Sequence, residues 1–388
     1  MFQFNTGKSP RSNAIFLNCH DNFGGAERRF ARAFADYLID FGNILLIANK
    51  SSIKSLNAAG ILKSKKGIIC MPGGVAKPGK TYAIYHIVNA ILLIFYSLKN
   101  RIRHIHYPVD PSIYSFIHSL VLRPLGITYS LSIVDSSRNT MRDFSYIRRT
   151  IWRHSIKRAR GIDFLSDGIK KNISTLFSKE VAFCSNIQVS PCSFTDYTKA
   201  HYSEEKEYDL VMMCRLHSKK GHDLLFSALQ YIKTLGRSGD IKSIGIFGSG
   251  PLENQIRSEV EAFKDFNISL KKTKDPFGVF SKTKFLLSLQ ADENYPSQAI
   301  LEALSSGAYI IATDVGETYK IVPSAVGFRT SSNAKDLGET ILYALEHYTF
   351  NRSTYTLLNS FATKSHSAKR FSLYLWDFII ESAALCTK

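Results

Sequence analysis

One stretch constrains the fold of this chain more than any other: residues 285–322, FLLSLQADENYPSQAILEALSSGAYIIATDVGETYKIV. Phe285 to Leu289 is an apolar run short enough for a buried strand. Gln290 to Tyr295 is polar and reads as a loop. Pro296 and Ser297 stand where a helix begins, because Pro suits a first turn and Ser can cap it. Ala299, Ile300, Ala303 and Leu304 continue at helical spacing until Gly307. Tyr309 to Ala312 is a second buried strand, and Asp314 to Glu317 is the loop after it. Strand, helix and strand in this order build a parallel sheet, which makes the fold α/β.

The chemistry of the stretch lies in its first loop and the helix behind it. A helix N-terminus offers free N–H groups and partial positive charge, so Ser297, Gln298 and Ala299 suit a phosphate. Glu302, inside the helix, can accept hydrogen bonds from two neighbouring hydroxyls such as a ribose diol. Asp292 and Glu293 add carboxylates on the loop side. The plainer alternative is an ordinary βαβ unit with an exposed Glu on its helix.

A chain of 388 residues has length for two domains. The six cysteines form no CxxC pair and no His-paired spacing, which argues for free thiols in a reducing compartment. No signal peptide is visible, since the first apolar run begins only at Ala14. Residues 83–98, AIYHIVNAILLIFYSL, are too short for a comfortable membrane span and carry His86 and Asn89, so they read as a buried or interface-facing helix. Charge is uneven. Residues 1–190 hold 27 Lys+Arg against 10 Asp+Glu, which is +17, and residues 191–388 hold 23 against 22, which is +1. A basic first half points to an anionic partner.

Taken in order, residues 14–19 read as a strand, and Gly24-Gly25 form a turn into a helix reaching about Asp40. Such a glycine pair lets backbone approach a ligand, although a tight turn is the commoner cause. Further strands are expected at 42–48, 67–71, 102–107, 127–134, 161–166 and 187–190. Residues 146–160, YIRRTIWRHSIKRAR, place Ile147, Ile151, Trp152 and Ile156 on one helix face among many cations. A solvated surface helix explains them. Contact with an anionic membrane is the functional reading, ahead of nucleic acid, for which no motif is present. In the second half, 210–214 is a strand with Arg215 and Lys220 beyond its C-terminal end, where open α/β sheets bind ligands. Arg and Lys there suit the oxygens of a diphosphate. Residues 244–247 are a strand followed by Gly248-Ser249-Gly250-Pro251-Leu252. That turn lacks the third glycine of a dinucleotide fingerprint, so it is not an NAD site. Helices are expected over 334–348 and 371–385.

Several of these motifs resemble the family 4 glycosyltransferases. The resemblance rests on GGAERRF at 24–30, Arg215-Leu-x3-Lys220-Gly221, Gly248-x-Gly250-Pro-Leu, and Glu302 as the second Glu of a Glu-x7-Glu pair. Asn294 occupies the first Glu position, and Glu293 is one residue early. The family's sugar-contacting His is replaced by Val134, beside Asp135, and Gly327-Phe328 resembles a turn before its last helices. The resemblance implies a GT-B fold: two Rossmann-like domains facing an interdomain cleft, with residues 1–193 on the acceptor side, 194–366 binding nucleotide-sugar, and a last helix, 367–388, returning to the first domain. It implies a retaining transferase of hexosyltransferase type. Arg215 and Lys220 would hold the donor pyrophosphate, Glu293 or Asn294 the sugar, and Glu302 the ribose. Gly24, Gly25, Gly248, Gly250, Ser297, Gln298 and Ala299 would line the donor, and Asp135 the acceptor side. No Asp-x-Asp occurs, so neither metal nor cofactor is expected. The basic half fits a lipid-linked acceptor in surface polysaccharide or lipopolysaccharide assembly, at the cytoplasmic face of a membrane. A nucleotide-sugar-binding protein with reduced catalysis, or an epimerase on the same fold, are the alternatives.

Overall fold

The computed structural model describes residues 12–17, 25–41, 44–62, 64–72, 82–134, 144–292 and 295–384. The chain divides into two compact units, one of residues 1–191 with 368–388 and the other of residues 192–367.

The first unit is built on a seven-stranded parallel sheet in the order β3-β2-β1-β4-β5-β6-β7. Its strands are β1 (Ser12–Phe16), β2 (Ile44–Asn49), β3 (Ile68–Met71), β4 (Ile102–Tyr107), β5 (Thr128–Ile133), β6 (Gly161–Phe164) and β7 (Asn186–Val189). β5 and β6 are buried along their whole length, as strands covered on both faces must be. The covering helices are α1 (Gly25–Ala33), α2 (Lys50–Ala58), α3 (Tyr82–Lys99), α4 (Ile113–Val121), α5 (Tyr146–Arg158) and α6 (Asp167–Leu176). α1 continues through a π-helical stretch, Phe34–Leu38, into a last turn, Ile39–Phe41. Helix α4 has no counterpart in the sequence reading. Its apolar pattern is interrupted by Ser115, His118 and Ser119, all of which are buried.

The second unit holds a six-stranded parallel sheet, β10-β9-β8-β11-β12-β13. Its strands are β8 (Tyr208–Met213), β9 (Ile244–Phe247), β10 (Ile268–Lys271), β11 (Thr283–Ser288), β12 (Tyr309–Thr313) and β13 (Gly327–Thr330). Its longer helices are α7 (His222–Thr234), α8 (Glu253–Ala262), α9 (Gln298–Ser305), α10 (Ala334–Glu346) and α11 (Arg352–Ser365). Separate apolar clusters fill the two faces of this sheet. Gly327-Phe328 is not a turn but the start of edge strand β13, paired in parallel with β12. Four residues give too short a pattern for a strand to be read from sequence.

The last helix, α12 (Ala368–Ala384), belongs to the first unit and crosses its sheet. Phe371, Leu375, Phe378 and Ile379 are fully buried in it. Gly161 at the start of β6 makes room for it, because a Cβ there would overlap the Ser382 hydroxyl. Under α12, the Asp163 carboxylate accepts hydrogen bonds from Ser132 Oγ (2.7 Å), Ser190 Oγ (2.9 Å) and Tyr374 Oη (2.6 Å).

Candidate functional site

The strand order of the second unit reverses direction between β8 and β11. From β8 the chain moves outward to β9 and β10, then returns to β11 and proceeds the other way. At such a switch point the loops after the two central strands part and leave a crevice at their C-terminal ends. The loop after β8 carries Arg215 and Lys220, and the loop after β11 runs from Leu289 into α9.

Three contacts fix these loops against each other. Lys220 Nζ donates to Gln290 Oε1 at 2.6 Å. Lys219 Nζ pairs with Asp292 Oδ2 at 3.1 Å. Gly221, in the left-handed region at φ +77, lies so close to the Leu289 carbonyl that a Cβ would overlap it. The β9 loop is tied in too. Leu216 N donates to the Ser249 carbonyl (3.0 Å), and Leu252 N donates to the Leu216 carbonyl (3.2 Å). Gly248 and Gly250 lie against the carbonyls of Cys214 and Leu216, where a side chain would collide. Both glycines therefore have a packing reason for being small.

Arg215 is exposed, and among the described residues it has no ion-pair partner. Burial lowers the Lys220 pKa, and the neighbouring Arg215 cation lowers it further while Asp292 opposes. Two cations held together with one of them half-buried leave positive charge that an anion would offset.

At the other side of the crevice, Ser297 sits at the N-cap position of α9, buried, but its side chain makes no capping bond. Pro296 lies outside the helix and follows a cis peptide bond from Tyr295, so it does not open the first turn as its position in sequence implies. The first N–H groups of α9, from Gln298 and Ala299 onward, have no partner within the helix. Glu302 is partly buried. Its Oε1 accepts from Thr195 Oγ1 at 3.0 Å, and burial raises its pKa. The carboxylate thus has one hydroxyl donor already in place.

Among the expected site residues, the structure gathers Arg215, Lys220, Gly248 and Gly250 into mutually braced loops, and puts Ser297, Gln298, Ala299 and Glu302 on α9. Gly25 opens α1 in the first unit. Gly24, Asp135, Glu293 and Asn294 lie outside the described residues. Val134 directly follows β5, and its N–H donates to Asp110 Oδ1 at 2.9 Å. Gln290 and Thr195, which hold Lys220 and Glu302, were not singled out by sequence. Gln290 could have been, since it stands just past the C-terminal end of a central strand. Thr195 carries no such signal.

No protein-family model matches the sequence, and no curated protein matches it by sequence. Comparison of structures does find neighbours. HepE from Anabaena, solved with UDP, superimposes with a TM-score of 0.71 at 13% identity, over 96% of this chain and 100% of that one. HepE has also been solved with UDP-glucose. A glycosyltransferase from Rickettsia africae gives a TM-score of 0.69 at 14% identity, over 96% of this chain and 99% of that one. The N-terminal domain of a trehalose-6-phosphate phosphatase from Candida albicans gives 0.70 at 11% identity, over 97% of each chain. At these identities the likeness establishes the fold: this chain has the two-unit α/β architecture of GT-B glycosyltransferases.

Proposed function

We propose that the protein is a retaining glycosyltransferase that uses a nucleoside-diphosphate sugar. The observation that carries this reading is the meeting of the Arg215–Lys220 loop with the loop leading to α9, at the switch point of the second sheet. The diphosphate lies against Arg215, Lys220 and the free N–H groups of α9, and Glu302 accepts the ribose hydroxyls. In the transfer, the bond from the anomeric carbon to the diphosphate oxygen breaks, and the electron pair leaves with the diphosphate. The acceptor oxygen bonds to the anomeric carbon on the same face, and its proton passes to the departing phosphate oxygen. Arg215 and Lys220 stabilise the charge that develops, which is an electrostatic role. The reading invokes no metal or organic cofactor. HepE is solved with UDP and UDP-glucose, which supports a nucleotide-sugar as donor. The Candida domain belongs to a protein named as a phosphatase, so fold by itself does not decide the chemistry.

We further assign the acceptor to a membrane surface, as a lipid-linked saccharide. Helix α3 supports this, for it is apolar on its outer side as well as where Ala90 and Leu93 enter the core. His86, Asn89 and Ser97 are buried, whereas Ile84, Ile87, Val88, Ile91, Phe95 and Leu98 stand between 48% and 63% exposed along one stripe. No described helix is long and apolar enough to cross a membrane. An apolar stripe on a unit of high positive charge fits the interface of an anionic bilayer.

Thermal shift against a panel of nucleoside diphosphates tests the donor site. A ligand at a hundred times its dissociation constant adds about 2.7 kcal/mol of stability. One base is expected to shift the melting temperature, and Arg215→Ala and Lys220→Ala each to abolish the shift. Slow hydrolysis of the matching nucleotide-sugar, lost in Arg215→Ala, separates an enzyme from a binder. No shift with any base would remove the donor assignment.

A further inference from the structure

At the edge of the first sheet where its strands begin, three arginines converge. Arg123 stands in the turn between α4 and β5, Arg158 is the last residue of α5, and Arg160 immediately precedes β6. With Ser119, Pro124, Gly126 and Thr128 they line a cavity of about 400 Å³, within the size range of small-ligand sites. This edge is opposite to the strand C-termini where α/β sheets place their substrates.

The backbone presenting these side chains is firmly held. Arg123 N donates to the His118 carbonyl (3.1 Å), Gly126 N to the Arg123 carbonyl (3.0 Å), and Arg160 N to the Tyr129 carbonyl (2.8 Å). Arg158 Nη1 is anchored on the Ser119 carbonyl at 3.0 Å. The Nε of Arg160 is buried and has no hydrogen-bond partner. Among the described residues no carboxylate pairs with any of the three, although Arg153, one turn back on α5, does pair with Glu180. Guanidinium groups gathered without a counter-charge repel one another, and a buried N–H without an acceptor is costly. Both penalties are relieved by one ligand type, an oxyanion.

We propose that Arg123, Arg158 and Arg160 form a binding site for a phosphate monoester group, separate from the donor site of the second unit. A carboxylate has two oxygens for three guanidinium forks, whereas a terminal phosphate has three oxygens that guanidinium meets in pairs. Free phosphoesters and the headgroup of phosphatidic acid share this chemistry. Leu120, Val121 and Leu125, neighbours in sequence of the lining residues, stand between 38% and 58% exposed.

The test is a calorimetric titration of the full chain with inorganic phosphate. It uses an Arg215→Ala background, so that binding in the second unit does not contribute and the two assignments fail separately. Arg123→Gln and Arg160→Gln are each expected to weaken binding about tenfold or more, the loss of one charge-assisted hydrogen bond. Arg153→Gln removes the same charge from the same region outside the cavity and is expected to change nothing. Arg123→Gln carries the test alone if Arg160→Gln lowers the melting temperature, since Arg123 lies in a surface turn. A second arm sediments the same variants with phosphatidylcholine vesicles containing phosphatidic acid. Saturable phosphate binding lost in the cavity variants assigns a free phosphoester. Binding seen only on vesicles, with the same variant pattern, assigns the lipid headgroup. No binding of phosphate together with vesicle sedimentation that the cavity variants leave unchanged, or an equal loss in Arg153→Gln, overturns the site.

Discussion

Gly221 shows how much of the candidate site depends on a single atom. It stands at the N-cap of α7 with φ +77, pressed against the Leu289 carbonyl of the neighbouring loop. Alanine there pays about 1–2 kcal/mol for the left-handed backbone, and its Cβ also forces the two loops apart. Gly221→Ala is expected to lower the urea midpoint and to weaken the nucleotide-dependent thermal shift together. An unchanged midpoint would show that the loops are not braced at this point. Arg215, Lys220 and Glu302 were legible in the sequence because each sits at a fixed offset from a strand end or a helix start. Their pairing with Gln290 and Thr195 was not, because a hydrogen bond across 70 or 107 residues follows from tertiary packing and not from local pattern. Pro296 misled for a related reason: a residue that suits a first helical turn also suits the loop before it.

At the scale of elements, the central strands of the first unit carry a buried polar chain that periodicity alone does not reveal. His104 bonds Thr128 Oγ1 (2.8 Å) and Ser130 Oγ (2.9 Å), and His106 bonds Ser130 Oγ (3.0 Å) and Ser132 Oγ (3.2 Å), which leads on to Asp163. His118, on α4, bonds Tyr107 Oη at 2.8 Å. Burial lowers the pKa of His106 to about 3 and, with Arg123 adding to it, of His118 to about 4. In the unfolded chain both take protons near pH 6.5, which the native chain refuses until far lower pH. The unfolded state therefore binds more protons across that window, and stability falls as pH drops from about 6.5 toward 4, with no such loss above it. Asp163 and Glu302, whose pKa values burial raises, work in the opposite direction and are outnumbered by the histidines whose values burial lowers. Melting temperatures from pH 8 to pH 4 are expected to decline below about 6.5, less steeply in His118→Gln. A flat profile would mean that these histidines titrate normally. The exposure of helix α3 is likewise hidden from periodicity. Its sequence reads as a buried or interface-facing helix, and which side is covered was decided by packing. His86 Nδ1 meets Tyr114 Oη at 2.6 Å on the inner side, leaving Ile84, Ile87, Ile91 and Phe95 outside. Helix α5 shows the converse: Trp152 and Ile156 are buried as their spacing implies, while Ile147 is 71% exposed.

For the whole molecule, the excess charge of residues 1–190 and the apolar stripe of α3 belong to the same unit. Together they predict salt-sensitive binding to anionic vesicles, because screening weakens the attraction while the apolar contribution persists. Ile91→Glu and Phe95→Glu are expected to abolish sedimentation with such vesicles without lowering the melting temperature, since both side chains are more than half exposed. Retained sedimentation in both variants would place the attraction in charge alone and remove α3 from the contact.

By itself the sequence determined the alternation of strands and helices, the α/β class, and the positions of the cations and carboxylates beyond the strand ends. It could do so because periodicity and turn chemistry are local. Only the tertiary structure decided the strand order, which sets β8 beside β11 and brings Lys220 to Gln290. It also decided which of α3's apolar residues stay outside, and that Arg123, Arg158 and Arg160 share a cavity. Each of these is a meeting of segments far apart in sequence. Such meetings are chosen by the packing of whole faces, and no short stretch contains the information for them.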